Sequence, residues 1–487
     1  MMKSSDIYDV AVIGAGVTGA SAARELSKYR LDTVVLEKNI EVSEGTTKAN
    51  SAIVHAGYDC IPGTMKAQMN RIGPSLMEGL SKELDFPYKK TGSLVLAFSD
   101  EDEEQLEILL ERGKLNGING LEIISSQRVR EMEPNVSEEV TSALYCSEAG
   151  IVCPYGMTYA LLENAADNGV EIRTSFEVES IEKTGDLYIL TSSEGEAIKA
   201  RAVINAAGIF SDSIGKMVGD SDYKIVPRKG EYRLLDRTEG KMVNHVIFQV
   251  PSDLGKGVLV TPTVHGNLMI GPNSTEVSDG MDLRTTKEGL SYIDLASKKS
   301  VPDLNFKKTI RVFSGLRATP DTGDFMIYES RNNKGFIHAG GIESPGLASS
   351  PAIGIKLREL IFNTGLFSEE KKEDFNHKRC GITDFSELND EEKEKLIEKN
   401  PSYGNIICRC ETVTEGEIIE TIRRNPGATT TDGVKRRVRA GMGRCQGTFC
   451  GPKVMEIISE ELNIPLEEVK KDSSGGSIFM GKAKGLE

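Results

Sequence analysis

A β-branched run that breaks into glycines constrains this chain more than any other feature of it. Val10-Ala11-Val12-Ile13 leads into Gly14-Ala15-Gly16-Val17-Thr18-Gly19, and Ala20 to Leu26 reads as a helix. A strand, a Gly-x-Gly-x-x-Gly turn and a helix, in that order, open a dinucleotide-binding unit. Gly14 permits the tight turn, Gly16 lets the backbone approach a pyrophosphate, and Gly19 lets the helix pack closely on the strand, with the helix N-terminus facing the anion. A second strand, Thr33-Val34-Val35-Leu36, ends in Glu37, 18 residues beyond Gly19. An acidic side chain there accepts hydrogen bonds from ribose hydroxyls.

Near the other end, Cys408-Arg409-Cys410 and Cys445-Gln446-Gly447-Thr448-Phe449-Cys450 gather four thiols that can serve one metal–sulfur centre. The glycines around them, Gly441, Gly443, Gly447 and Gly451, leave backbone N–H groups free to approach sulfur, which is one lever on a cluster's potential. Cys-x-Cys followed, after 34 intervening residues, by Cys-x4-Cys departs from the Cys-x2-Cys repeats of zinc ribbons. Iron–sulfur and zinc both stay open on spacing alone. Lys435, Arg436, Arg437 and Arg439 precede the second pair. They would ease reduction of an anionic cluster, dock an acidic partner, or form a solvated helix face. Cys60, Cys146, Cys153 and Cys380 read as ordinary reduced residues.

The 487 residues are enough for two or three domains, and a net charge of −15 argues against a nucleic-acid partner. No apolar stretch approaches the ~18 residues of a membrane span, and no secretory leader is evident, so a cytoplasmic location is expected, with membrane contact only through a partner. From Ile7 to about Phe362, strands and helices alternate. Ser368 to Asn400 is dense in charge and reads as a solvated helical connector. A third unit from about Gly404 carries the cysteines between two expected helices, and the tail from Asp472 is expected to be mobile.

These motifs and several shorter ones resemble those of the D-amino-acid oxidase-type flavoprotein superfamily fused to a bacterioferritin-associated-ferredoxin-like domain. The shared stretches are Ser51-Ala52-Ile53-Val54-His55-Ala56-Gly57, Asn205-Ala206-Ala207-Gly208, Lys229-Gly230-Glu231-Tyr232, Gly315-Leu316-Arg317 and Gly340-Gly341-Ile342-Glu343-Ser344-Pro345-Gly346-Leu347. Within that group the chain is most similar to FAD-dependent glycerol-3-phosphate dehydrogenases of the anaerobic multi-subunit type, and it also resembles L-2-hydroxyglutarate oxidases. The resemblance implies an α/β fold: a Rossmann-like FAD-binding domain with an interleaved α+β substrate domain, plus a small C-terminal helical [2Fe-2S] domain. The oxidoreductase region would cover 1–365, with FAD-binding parts about 1–85, 145–222 and 310–365 and substrate-side parts about 86–144 and 223–309. A charged linker (366–403), the [2Fe-2S] domain (404–470) and a mobile tail (471–487) would follow.

By the same resemblance FAD would be held by Gly14, Gly16, Gly19, Glu37, Ala207, Gly208, Gly341, Gly346 and Leu347, and a [2Fe-2S] cluster by Cys408, Cys410, Cys445 and Cys450. The turn at Gly340 to Gly346 would feed a helix whose positive N-terminal end stabilises negative charge on a reduced flavin. His55 is the expected proton acceptor for a substrate hydroxyl, and Arg317 has the fork that grips a phosphate or carboxylate. Arg228 and Lys229 would add charge to the same site or belong to a solvated loop, and His338 is a secondary candidate. The leading expectation is oxidation of sn-glycerol 3-phosphate to dihydroxyacetone phosphate by hydride transfer to flavin N5. Electrons would leave through the cluster to a partner electron-transfer flavoprotein or a quinone-linked subunit. One alternative is oxidation of L-2-hydroxyglutarate or another 2-hydroxy acid; another is a non-catalytic electron-transfer or redox-sensing subunit.

Overall fold

In the computed structural model, which describes residues 7–251, 257–473 and 475–479, the opening run Ile7–Ile13 becomes the centre of an eight-stranded sheet. It pairs in parallel with Thr33–Leu36 on one side and Ala197–Asn205 on the other. Glu171–Arg173 extends the sheet beyond Thr33–Leu36, and Phe336–Gly340 lies parallel to Ala197–Asn205. Helices cover this core, which is why Val10, Ala11, Val12, Val34 and Val35 are all fully buried instead of alternating in and out. The first helix, Val17–Ser27, packs through Ala20, Ala22 and Ala23 against helices Pro154–Asp167 and Gly346–Asn363. The approach is so close that a Cβ on Gly354 would lie 2.6 Å from the Ser21 carbonyl oxygen.

A second sheet of nine strands is mostly antiparallel. Its two long members, Ile225–Leu235 and Thr309–Pro320, pair along almost their whole length, with Arg228 opposite Arg317 and Tyr232 opposite Phe313. Gly315 lets this pair press on the 46–51 segment of the first sheet's unit, since a Cβ there would strike the Ala49 carbonyl. Thr46 Oγ1 donates to the Leu316 carbonyl at 2.6 Å across the same seam. The two sheets thereby meet along a shared wall.

The expected helical connector is α-helical at Asp390–Lys399, with a single 3-10 turn at Phe385–Glu387 before it. Before that helix the chain is largely irregular, because its polar groups find partners on the first unit instead of in helical bonds. The Asn376 N–H donates to Asn168 Oδ1 at 2.8 Å, the Gly381 N–H to Asp85 Oδ2 at 2.9 Å, and Arg379 Nε to Glu163 at 2.7 Å. The cysteine-bearing unit has three helices, Glu415–Arg423, Thr431–Val438 and Gly451–Leu462, one more than expected. In the tail, residues 474 and 480–487 lie outside the described residues. Among the described residues no helix is long and apolar enough to cross a membrane.

Helix Glu415–Arg423 opens on a capping box in which Glu417 Oε2 accepts from the Thr414 N–H and hydroxyl, while Oε1 accepts from the Phe385 N–H. Burial pushes this carboxyl from 4.5 up to about 7, against the pull of those hydrogen bonds. An acid raised in this way holds a proton that the unfolded chain has already released. Stability therefore falls as pH rises from about 4.5 through 7 and is level above that. Glu417→Gln is expected to flatten this slope in thermal midpoints measured across the window; a slope that survives would assign the titration to another group.

Candidate active site and cluster-binding site

A cavity of about 1280 Å³ is lined by residues of both sheets. On the nucleotide side its wall includes Gly14, Gly16 and Glu37. The first helix starts after Gly16 with no side-chain cap from that residue, and the Val17 N–H donates instead to Thr47 Oγ1 at 3.0 Å. Glu37 Oε2 accepts the Ala15 N–H at 2.9 Å and Oε1 accepts the Asn39 N–H and amide, which fixes the carboxylate at the strand end. Burial raises its pKa while these bonds pull it back. Gly14 has φ +100°, and a Cβ would stand 2.5 Å from the Ala206 carbonyl oxygen. Gly14→Ala is therefore expected to abolish flavin retention, read as loss of the yellow absorbance from purified protein.

Ala207, Gly208, Gly346 and Leu347 also line the cavity. Gly19 and Gly341 do not contribute to that lining: Gly19 packs against the Gly14 carbonyl, and Gly341, at φ +62°, lies against Pro320. Helix Gly346–Asn363 begins with Pro345 at its N-cap and no side-chain cap; the Gly346 N–H donates to the Glu343 carbonyl, and the helix's first residues, Gly346 and Leu347, lie in the cavity wall.

His55, Arg228 and Arg317 share this cavity. The His55 ring is 6 % exposed and held between Tyr58, at 4.8 Å, and the edge of Phe248, at 5.4 Å. Its Nδ1 lies 3.4 Å from Asp59 Oδ1 and 3.3 Å from the Gly57 N. Asp59 is therefore placed to stabilise the ring once it has gained a proton. Arg317 donates to Ser274 Oγ at 3.4 Å and to the Asn273 carbonyl at 3.3 Å. Arg228 stands directly across the strand pair, and its Nε is buried without a partner. Among the described residues neither guanidinium forms an ion pair with a carboxylate. Two like charges held opposite each other in a sheet repel, so the arrangement calls for an anion.

The sequence did not separate Arg228 from Lys229. Because side chains alternate along a strand, Lys229 turns away, is 4 % exposed, and pairs with Asp282 at 3.1 Å. His338 is buried outside the cavity, between Asp220, at 2.9 Å from Nε2, and the Tyr223 hydroxyl, at 3.3 Å from Nδ1. Asp59 and Thr47 carry no motif, and sequence reasoning passed over both. The only signal was nearness, since Asp59 stands four residues after His55 and can meet it only if the chain turns back on itself.

At the C-terminal end the four cysteines come together from the end of strand Ile406–Cys408 and from the segment that leads into helix Gly451–Leu462. Cys408 and Cys410 sulfurs are 3.8 Å apart, Cys410 and Cys445 4.0 Å, and Cys408 also hydrogen-bonds Cys450. Among the described residues no set of three or more His, Cys, Asp or Glu has the spacing of a preformed metal-ion site; the fit to an iron–sulfur cluster rests on the donor set and its surroundings. Backbone N–H groups of Gly441 and Glu411 face Cys408 and, with Cys450, hold its thiol below the usual range. Those of Gly447 and Phe449 face Cys445. A Cβ on Gly443 would collide with the Cys410 sulfur. Thiolates ringed by N–H donors and glycine are what a cluster of this kind needs. The basic residues before Cys445 are not a solvated face: Arg436 pairs with Glu44, Arg437 with Glu41 and Arg439 with Glu411. Among the described residues no disulfide is formed, and Cys380 and Cys410 are exposed.

Comparison with known proteins identifies the family. A family model for FAD dependent oxidoreductases (DAO) matches residues 9–360, and one for the BFD-like [2Fe-2S] binding domain matches 406–460. The chain belongs to the FAD dependent oxidoreductase family, and its cofactors are FAD and a [2Fe-2S] cluster. A glycerol 3-phosphate dehydrogenase of Caloramator mitchellensis is 49% identical over 478 residues, spanning 98% of this chain and 99% of that protein. The structure of dithionite-reduced L-alpha-glycerophosphate oxidase from Mycoplasma pneumoniae with FAD bound superposes with a TM-score of 0.73 at 30% identity, covering 77% of this chain and 98% of that one. The mitochondrial L-2-hydroxyglutarate dehydrogenase of Caenorhabditis elegans is 32% identical over 321 residues, 62% of this chain and 71% of that protein.

Proposed function

We propose that this chain oxidises sn-glycerol 3-phosphate to dihydroxyacetone phosphate and passes the electrons, one at a time, to a partner electron-transfer flavoprotein or a quinone-linked subunit. The observation that carries the substrate assignment is the facing pair Arg228 and Arg317, two cations in the cavity wall without a carboxylate partner among the described residues. A phosphate monoester carries close to two negative charges at neutral pH and presents oxygens to both forks. The similarity to glycerol 3-phosphate dehydrogenase over nearly the whole chain supports the same substrate.

When bound, FAD supplies the hydride acceptor and the [2Fe-2S] cluster the one-electron exit. The protein's own contribution is positional. Gly14, Gly16, Glu37 and the start of helix Gly346–Asn363 hold the dinucleotide, with Ala207, Gly208 and Leu347 completing the wall and Gly19 and Gly341 supporting it from behind. Arg228 and Arg317 orient the substrate by its anionic end. His55 takes the hydroxyl proton on Nε2 in the tautomer whose Nδ1–H is directed at Asp59 in place of accepting the Gly57 N–H, and Asp59 stabilises the ring that results. Cys408, Cys410, Cys445 and Cys450 hold the cluster. Its outer side carries the exposed Cys410 and, beside Cys450, Phe449, which is 86 % exposed. That edge is where a redox partner would dock.

Anaerobic mixing with sn-glycerol 3-phosphate tests the reading: the flavin band is expected to bleach, and dihydroxyacetone phosphate to appear. Bleaching by L-2-hydroxyglutarate alone would move the assignment to the 2-hydroxy acids, the substrate class in the name of the nematode relative. No bleaching by either would favour a non-catalytic electron-transfer subunit.

A further inference from the structure

Residues 41–48 have two faces. Towards the nucleotide cavity, Thr47 Oγ1 accepts the Val17 N–H, the Ser43 N–H donates to the Ala15 carbonyl at 3.1 Å, and Glu44 to Thr47 form part of the wall. Towards the cysteine-bearing unit, the side chains of Glu41 and Glu44 are only 1 % and 4 % exposed, and that unit is what buries them. Glu41 Oε1 accepts the N–H groups of Thr429 and Thr430 at 2.7 and 3.1 Å, just ahead of helix Thr431–Val438. Its Oε2 accepts from Arg437 Nη1 at 3.0 Å, and the same guanidinium lies 4.0 Å over the Tyr159 ring. Arg436 donates to Glu44 and, at 3.0 Å, to the Tyr159 hydroxyl. At Gly433 the fit leaves no room for a Cβ, which would collide with the Glu41 carboxylate. Ion pairs this dry do not loosen by degrees, since removing one partner strands the other charge away from water.

A third contact comes from the segment that follows the last helices. Ser473 lines the cavity although it lies beyond the cysteines in sequence, and its Oγ is buried with no hydrogen-bond partner among the described residues. A buried hydroxyl left unpaired is costly, and the occupant of the cavity is the group that can satisfy it. The Lys470 and Lys471 carbonyls accept the Thr431 and Asp432 N–H groups at 3.2 and 2.9 Å, which ties this segment to the same helix as Arg436 and Arg437.

We propose that the cluster-bearing unit is a clasp on the FAD site: Arg436 and Arg437 fix the 41–48 loop, and Ser473 gives a hydroxyl to the bound cofactor. Because coupling between two sites is reciprocal, FAD in turn holds helix Thr431–Val438 in place. The proposal rests on FAD as the cofactor and is independent of the substrate, so a failed substrate assignment leaves it standing. FAD release from the holoenzyme, followed as free-flavin fluorescence after dilution, tests it. Arg436→Met and Ser473→Ala are each expected to release FAD at least about fivefold faster while the cluster's visible absorbance is kept. If Arg436→Met does not fold, Ser473→Ala decides alone, because it changes one hydroxyl near the chain's end. Hydrogen exchange supplies an independent measure: returning FAD to FAD-stripped protein is expected to slow exchange across residues 431–438. Release within about twofold of the parent in either folded variant, or exchange in that helix indifferent to FAD, overturns the clasp.

Discussion

Arg228→Ala and Arg317→Ala are each expected to raise KM for sn-glycerol 3-phosphate by roughly 30- to 160-fold, the worth of a charge-assisted contact of about 2–3 kcal/mol. The double variant is expected to lose measurable substrate capture while keeping its yellow colour. What separates this from a merely structural role is the sign of the stability change. In the substrate-free protein the two residues occupy facing positions on the strand pair, so removing Arg228 relieves like-charge repulsion and leaves thermal stability unchanged or higher, whereas Arg317→Ala also gives up the bonds to Ser274 and Asn273. Arg228 also has a buried Nε without a partner, and its loss costs the folded state no hydrogen bond there. Unchanged KM values in the single variants, or a fall in melting temperature with unaltered kinetics, would remove the pair from substrate binding.

The second large effect concerns the cluster. Cys445→Ser is expected to abolish the [2Fe-2S] visible and electron-paramagnetic signals and to lower turnover with the physiological acceptor by about two orders of magnitude or more. The reductive half-reaction is expected to survive, so anaerobic bleaching of bound FAD by substrate proceeds at a rate within a fewfold of the parent's. Cys445 is the better choice over Cys408, which is 1 % exposed and packs among Val413, Ile418 and Val454 in that unit's own core. Measurements at saturating FAD keep the two cofactors' effects apart. Full turnover with the physiological acceptor in the absence of cluster signals would show that electrons leave the flavin by another route.

The opening motif was legible because its chemistry is local. Gly14, Gly16 and Glu37 sit within one short turn and at the end of the adjoining strand, and all three line the cavity. The cysteine quartet was legible for the same reason, as two short spacings with glycines between. Arg228 was not, because the segment offered no sign that it is a strand whose odd and even residues face opposite ways, and Lys229 looked equally good. The pairing of Arg436 and Arg437 was not legible because their partners, Glu44 and Glu41, lie about 390 residues upstream in a stretch with no motif of its own. Helix Thr431–Val438 was missed for a related reason: it is eight residues long, polar, and held by that remote contact more than by an apolar stripe. The irregular path before Asp390 was misjudged because charge density alone does not tell a solvated helix from a strap whose donors are taken up elsewhere.

Cys380, exposed and free, lies on that strap, and its carbonyl accepts a hydrogen bond from Arg424 of the cysteine-bearing unit at 2.8 Å. With the quartet occupied by iron and Cys60, Cys146 and Cys153 buried, a maleimide dye or nitroxide would have one address to react with. The enzyme thus comes with a spectroscopic handle at the joint between its halves, and their relative motion during turnover could be watched without engineering a new thiol.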